Sequence, residues 1–82
     1  MKDTRQRLAK CFALALPNLP REQIGIASIH SVAAWDSLVT INILALVEEE
    51  FGIEVPDRDL ENFVSFELIA DYLEAKGDVS KT

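Results

Sequence analysis

The stretch WDSLVTINILALVEEEFG, residues 35–52, has the features of one complete helix. Asp36 or Ser37 begins it, because a short polar side chain at the N-cap accepts a hydrogen bond from a first-turn amide. Gly52 follows the apolar run, and glycine readily adopts the left-handed conformation that ends many helices. We therefore predict a helix over residues 37–51.

This helix carries more apolar residues than one packed face requires. One stripe at helical spacing, sufficient for packing onto a small bundle, consists of Leu38, Ile41, Leu44 and Val47. The surplus lies partly or wholly outside that stripe and consists of Val39, Ile43, Ala45 and Leu46. The surplus predicts a second apolar surface, which faces either a partner or an internal ligand cavity.

On both sides of this stretch the chain consists of helices separated by helix breakers. Pro17 ends the first helix, and Gly77 closes the last. Ser65 is the expected N-cap of that last helix, whose inner stripe consists of Phe66, Ile69, Ala70 and Leu73. The predicted helices cover residues 3–16, 37–51, 57–62 and 65–76.

Residues 17–35 lose this periodicity and form a long, packed loop, with one helical turn near Glu22. The apolar residues expected to hold this loop in place are Leu19, Ile24, Ile26, Ile29 and Val32. The fold class follows: an all-α, small bundle of three main helices plus one short helix, with a long loop between helices 1 and 2. We expect a single domain over residues 1–82.

Charge is unevenly distributed along the chain, whose net charge is −6. Residues 1–21 hold five Lys or Arg against one acid, whereas residues 22–57 hold seven acids and neither Lys nor Arg. The acidic middle repels nucleic acid and attracts basic partner surfaces. The basic residues of the first helix are scattered without aromatic residues between them, so we predict no nucleic-acid contact.

The single cysteine and the charged first residues of the chain indicate the cellular compartment of the protein. Cys11 lies in an apolar stretch, where it packs as a small hydrophobe and has no internal disulfide partner. The first residues are too charged for a secretory signal, and the longest apolar run, ILALV, is too short to span a bilayer. We expect a cytoplasmic protein with no membrane span.

Catalytic and metal sites have weak support in the sequence. Ser37, His30 and Asp36 supply the residue types of a hydrolase triad, but Asp36 adjoins the serine and cannot orient the histidine. The segment DRDLENFVSFEL, residues 57–68, resembles a calcium loop but lacks its central glycine and final glutamate. We therefore predict no catalytic residue and no metal ligand.

Ser37 has two interpretations. Asp36 alone explains the helix start, and Ser37 is then an incidental first-turn residue. A serine at this position is also suited to bear a phosphate ester, because unpaired amides and the helix dipole both favour an anion there.

The sequence resembles the acyl carrier proteins and their peptidyl-carrier relatives. The resemblance rests on DSL at 36–38, on EEEFGIEVPDRDLENFVSFELIADYL at 48–73, and on an amino-terminal helix followed by a long loop. It implies that Ser37, flanked by Asp36 and Leu38, is the attachment point of 4′-phosphopantetheine. It also implies that a phosphopantetheinyl transferase adds this arm from coenzyme A, that the arm's thiol holds acyl groups as thioesters, and that the acyl chain enters the bundle core.

The resemblance further implies that acids along the second main helix, here Glu48 and Glu49, bind basic patches on acyl-loading and acyl-transferring enzymes. Carriers of primary fatty-acid synthesis commonly have acids two and five residues after the serine, where this chain has Val39 and Asn42. With Leu46 and Glu49, these residues share a mostly uncharged helical face. We predict a changed partner set, against the alternative of neutral drift.

Two hypotheses remain. The first is a non-enzymatic, monomeric carrier that serves a specialised lipid, polyketide or aminoacyl pathway. The second is an interaction module that has the same bundle and docks partners without being modified. Trp35, where the family often has a small residue, either shields the arm or covers the loop.

Overall fold

The computed structural model describes residues 2–81 and the side chains of residues 4–76. Four α-helices and one 3₁₀ helix account for most of this part of the chain, in agreement with the predicted all-α bundle. They are α1 (Lys2–Ala15), α2 (Arg21–Ile24), α3 (Ser37–Phe51), the 3₁₀ helix (Asp57–Asn62) and α4 (Phe66–Lys81). The three long helices form the bundle, in which α1 packs against both α3 and α4.

The inner faces of α1 and α4 follow their sequence periodicity. In α1 the buried side chains are Leu8, Cys11 and Phe12. All four predicted core residues of α4, from Phe66 to Leu73, are buried. The Oγ atom of Ser65 accepts a hydrogen bond from the amide of Leu68 at 3.1 Å, which confirms Ser65 as the N-cap.

The inner face of α3 differs from the predicted stripe. Its fully buried residues are Ile43 and Val47, whereas Leu38 is 64% and Ile41 is 58% exposed. The predicted stripe therefore packs inward only in part: Val47 is buried and Leu44 is half-buried, whereas Leu38 and Ile41 face solvent. Of the predicted surplus, Ile43 is buried, Val39 and Leu46 are half-buried against the core, and Ala45 is exposed, so the outer apolar surface of α3 consists of Leu38, Ile41 and Ala45.

Buried residues and backbone hydrogen bonds attach the long connection between α1 and α3 to the rest of the fold. Ile24 and Ala27 are buried, but Ile26 and Ile29 are exposed, so the expectation that they anchor the loop was wrong. Backbone hydrogen bonds link the loop to the start of α4 instead: the amide of Ile29 donates to Val64 O at 3.0 Å, and the amide of Phe66 donates to Ala27 O at 2.9 Å. An isolated antiparallel bridge between Ser28 and Ser65 thus joins the loop to the start of α4.

Of three helix ends, that of α3 lies where the sequence predicts it, and those of α1 and α4 do not. Gly52 has φ 65° and ψ 39°, the predicted left-handed conformation, and it ends α3. α1 ends at Ala15, one residue before the predicted end, although the amide of Leu16 still donates to Phe12 O at 2.7 Å. α4 continues to Lys81, past the end predicted at Gly77, because glycine lowers helix propensity without by itself stopping a helix.

Polar contacts join the helices at the surface. Arg5 of α1 forms ion pairs with three acids of α4, the nearest being Glu67 at 3.1 Å. The Tyr72 hydroxyl donates to Asp59 Oδ2 at 2.7 Å and so ties α4 to the 3₁₀ helix. Burial, followed by this hydrogen bond, raises the pKa of Tyr72 to about 12.

Candidate functional site

The amino-terminal end of α3 is built around the side chain of Asp36. Asp36 has extended backbone angles, and its Oδ1 atom accepts a hydrogen bond from the amide of Val39 at 3.0 Å. The carbonyl oxygen of Asp36 accepts from the amide of Thr40 at 2.9 Å, the first hydrogen bond of the helix. Asp36 is therefore the N-cap, and α3 begins at Ser37 as predicted.

Trp35 anchors this helix start to the core. Its ring is 4% exposed and lies edge-on to Phe12, with ring centroids 5.2 Å apart. Its Nε1 atom donates to Thr40 Oγ1 at 2.8 Å, and that hydroxyl in turn donates to Asp36 O at 3.2 Å. One hydrogen-bonded link therefore connects the buried indole to the first turn of α3 and fixes which side of the helix faces inward.

Ser37 lies on the exposed side of this turn, and Leu38 beside it is exposed as well. The outer surface of α3 continues from Leu38 through Ile41 and Ala45, residues at the spacing i, i+3 and i+7. An apolar surface thus starts directly beside the serine.

The five residues predicted to bind partners do not all face solvent. Asn42 and Glu49 are exposed, whereas Val39 and Leu46 are half-buried and pack against the core. The Oε2 atom of Glu48 accepts a hydrogen bond from the amide of Val55 at 2.8 Å. Glu48 therefore supports the link that follows α3, and part of its capacity for partner binding is already used.

Leu38 and Ile41, which we predicted to pack into the bundle, belong to the exposed surface beside Ser37, together with Ala45 from the predicted surplus. The spacing of Leu38 and Ile41 is equally typical of a core stripe and of an outer apolar surface. Thr40 provides an additional signal, because its hydroxyl can accept a hydrogen bond from a buried indole N–H. Thr40 shares a helical face with Ile43 and Val47, and this bond favours that face as the inner one.

The other chemically active side chains are not assembled around Ser37. His30 is exposed, its amide donates to Ser28 Oγ at 3.2 Å, and no hydrogen bond joins it to Ser37 in the part of the chain that the structure describes. Among the same residues, no group of three or more His, Cys, Asp or Glu side chains is arranged to hold a metal ion.

Cys11 is confirmed as a core residue: it is 3% exposed, and burial raises the pKa of its thiol to about 11. A thiol with such a pKa is protonated at neutral pH and a poor nucleophile. No helix within residues 2–81 has the length and apolar character needed to cross a bilayer.

Comparisons with known proteins agree with this geometry. The family model described as phosphopantetheine attachment site matches residues 6–73, which include Ser37 and all of α3. An acyl carrier protein of Bdellovibrio bacteriovorus is 43% identical over 64 residues, covering 68% of this chain and 82% of that protein. The mitochondrial acyl carrier protein of Saccharomyces cerevisiae is 33% identical over 72 residues, covering 87% of this chain but only 58% of the yeast protein.

Proposed function

This chain belongs to the acyl carrier proteins, whose phosphopantetheine attachment site its sequence matches, and from that premise we propose that it carries acyl intermediates as thioesters on a 4′-phosphopantetheine arm attached to Ser37. The observation that carries the proposal is the exposed serine at the first turn of a helix capped by Asp36. Both residues lie within the matched region.

The surroundings of Ser37 fit a phosphodiester. The Asp36 side chain satisfies the amide of Val39, while the amides of Ser37 and Leu38 have no acceptor in the described part of the chain. Such first-turn amides, together with the helix dipole, stabilise an anion. An exposed hydroxyl is also within reach of a transferase.

In the proposed modification, Ser37 Oγ forms a bond to the phosphorus atom that bears the pantetheine in coenzyme A. The pyrophosphate bond breaks, adenosine bisphosphate leaves, and the serine proton is released. When attached, the arm supplies the thiol that forms thioesters with acyl groups. This chain then contributes attachment and presentation, and catalysis lies with its partners.

The partner enzymes are expected to contact the outer surface of α3. This surface combines the apolar side chains of Leu38, Ile41 and Ala45 with Asn42 and the acid Glu49. An exposed ion pair contributes about 0–1 kcal/mol, so neutral Val39 and Asn42, at positions commonly acidic in carriers of primary fatty-acid synthesis, weaken steering towards basic partners. We therefore propose a specialised lipid, polyketide or aminoacyl pathway for this chain. We also propose that it acts as a cytoplasmic monomer.

Mass spectrometry tests the attachment site. Co-expression with a phosphopantetheinyl transferase is expected to increase the intact mass by one phosphopantetheinyl unit. Ser37→Ala is expected to abolish the increase, whereas Ser31→Ala, a substitution of another exposed serine, leaves it intact. A mass increase in Ser37→Ala would refute the assignment, and an unmodified wild-type protein in a tight native complex would favour the interaction module.

A further inference from the structure

A groove between α1 and α2 lies outside the attachment site proposed at Ser37. It has a volume of about 480 Å³, and among the described residues none of its lining belongs to α3. Helix α1 contributes Gln6, Ala9, Lys10 and Ala13 to this lining, and α2 contributes Arg21 and Ile24. We call it the α1–α2 groove. A function of this groove would not depend on the residues around Ser37.

The α1 side of the groove is one face of a helix. Gln6, Ala9, Lys10 and Ala13 have the spacing i, i+3, i+4 and i+7, so they share one face over two turns, a length of about 10 Å. Two of the four are alanines, whose small side chains allow the axis of a second helix to approach closely. This side of the groove therefore has the length and shape of a helix-packing surface.

The base of the groove belongs to the hydrophobic core. Ile24 is 4% exposed, and Ala9 and Leu19 are half-buried against the core. Gln6 and Ala13 are exposed, so the groove is open to solvent along α1. An open groove covers less of a small molecule than the 70–90% typical of ligand pockets, and it is better suited to an elongated segment such as a helix.

The α1–α2 groove also carries positive charge. Lys10 and Arg21 are both exposed and line it, and neither forms an ion pair among the described side chains. In contrast, Arg5 pairs with acids of α4, and Arg7 pairs with Glu50 at 2.8 Å. No acid is among the described residues that line the groove. Apolar surface beside two available cations is complementary to a segment that has apolar and acidic side chains together.

We propose that the α1–α2 groove is a second docking site, which binds an amphipathic helix with acidic side chains from a partner protein. The apolar face of that helix packs on Ala9, Ala13 and Ile24, and its acids pair with Lys10 and Arg21. The outer surface of α3 has no basic residue and presents Glu49, so the two surfaces select partners of opposite charge. The chain can then be held through the groove by one protein while Ser37 serves another.

NMR titration of the unmodified protein tests the location of this site. The probe is an amphipathic peptide of about 18 residues, because shorter isolated helices are marginal in water. Leucines form one face of the peptide, and glutamates flank that face. We expect the amide signals of Ala9, Ala13 and Ile24 to shift, while those of Ile41 and Ala45 stay in place. Shifts confined to Ile41 and Ala45, or no shift at all, would overturn the proposal.

Two further probes test the kind of occupant. A peptide with glutamine in place of each glutamate is expected to bind at least about fivefold more weakly, the equivalent of one exposed ion pair. Equal affinity of the two peptides would contradict the charge selection. Decanoate is a small amphipathic anion, and if it shifts the groove signals while the acidic peptide does not, the occupant is a small ligand and the proposed helix is wrong.

Substitutions in the protein test the two sides of the groove. Arg21→Glu is expected to weaken binding of the acidic peptide about fivefold, whereas Arg58→Glu, at an exposed position outside the groove, is expected to leave it unchanged. Ala13→Trp is expected to block the close approach of the peptide, and Ala75→Trp, at an exposed position of α4, is its control. An equal loss in a variant and its control would contradict the assignment to the groove.

The docking proposal and the proposed attachment fail separately. The titration uses the protein without its arm, so a chain that gains no mass at Ser37 leaves the peptide result unaffected. A chain that gains the arm but does not bind the acidic peptide contradicts the docking site alone.

Discussion

The two ends of α3 are held in different ways. At the carboxyl end, Glu48 binds the amide of Val55, and Arg7 binds Glu50 at 2.8 Å while its guanidinium lies 4.5 Å from the centre of the Phe51 ring. At the amino end, the Asp36 cap and the Trp35 link hold the first turn, Val39 packs against the core, and Ser37 and Leu38 face solvent.

Most contacts that anchor α3 therefore lie at a different end of the helix from the side chains proposed to contact partners beside Ser37. Contacts within the chain occupy side chains at the carboxyl end, which is thereby less available to partners. The amino end is fixed through buried or backbone-directed groups, so its outward side chains remain unoccupied. A helix of fifteen residues thus serves as a support at one end and a presenting surface at the other.

The largest expected difference between the two ends is in packing. Val47→Ala removes methyl groups from a fully buried site and is expected to lower the free energy of unfolding by about 2–3 kcal/mol. Leu38→Ala, at an exposed site, is expected to change it by less than about 0.5 kcal/mol. Urea unfolding measures both, and similar losses would contradict the division.

Substitution of Glu48 tests whether its hydrogen bond with the Val55 amide stabilises the carboxyl end of α3. Glu48→Ala leaves the Val55 amide without its acceptor and is expected to cost about 1.5 kcal/mol. Glu48→Gln keeps an acceptor oxygen at the same reach and is expected to retain most of this stability. If both variants unfold at the same urea concentration, the hydrogen bond is not the source of the effect.

Substitution of Asp36 tests the cap at the amino end of α3, and we expect a smaller loss of stability than for Glu48→Ala. Asp36→Ala removes the cap on the Val39 amide and is expected to lower the free energy of unfolding by about 1 kcal/mol. Asn is as good a capping residue, so Asp36→Asn serves as the control. Amide hydrogen exchange in the first turn of α3 locates the loss, and increased exchange at the carboxyl end instead would contradict the assignment.

The smallest expected effect concerns pH. The hydrogen bond from Arg7 lowers the pKa of Glu50, so the pair stabilises the fold above the ordinary glutamate pKa of 4.5. This contribution is lost as the pH falls through the lowered pKa. Arg7→Gln is expected to raise the pKa of Glu50 towards its ordinary value, as measured by carboxyl NMR titration, whereas Arg58→Gln leaves it unchanged.

The predictability of each helix from sequence depended on how many apolar faces it has. In α4 one stripe of apolar residues has one location, and Phe66, Ile69, Ala70 and Leu73 are all buried. In α3 several faces are apolar, so periodicity alone does not specify which one packs. The choice depends on Trp35 and Phe12, which are distant in sequence and meet only in the fold.

Some features of the candidate site are likewise predictable from local sequence, whereas others depend on the fold. The N-cap at Asp36 follows from local sequence, because capping involves only neighbouring residues. The exposure of Leu38 in the first turn was not predicted, because Leu38 continues the apolar stripe that was expected to pack inward. The use of Glu48 in binding Val55 was not predicted, because it depends on the path of the chain after Gly52. Family resemblance supplied the role proposed for Ser37, and no pattern of polar residues alone specifies it.

The burial of Cys11 has a practical consequence for labelling. Cys11 is 3% exposed and burial raises the pKa of its thiol to about 11, so the thiol reacts slowly with maleimides and alkylating reagents at neutral pH. The thiol at the end of an arm on Ser37 would be the accessible one. A fluorophore or an immobilisation linker would then attach to the arm in the wild-type sequence, without removal of the native cysteine.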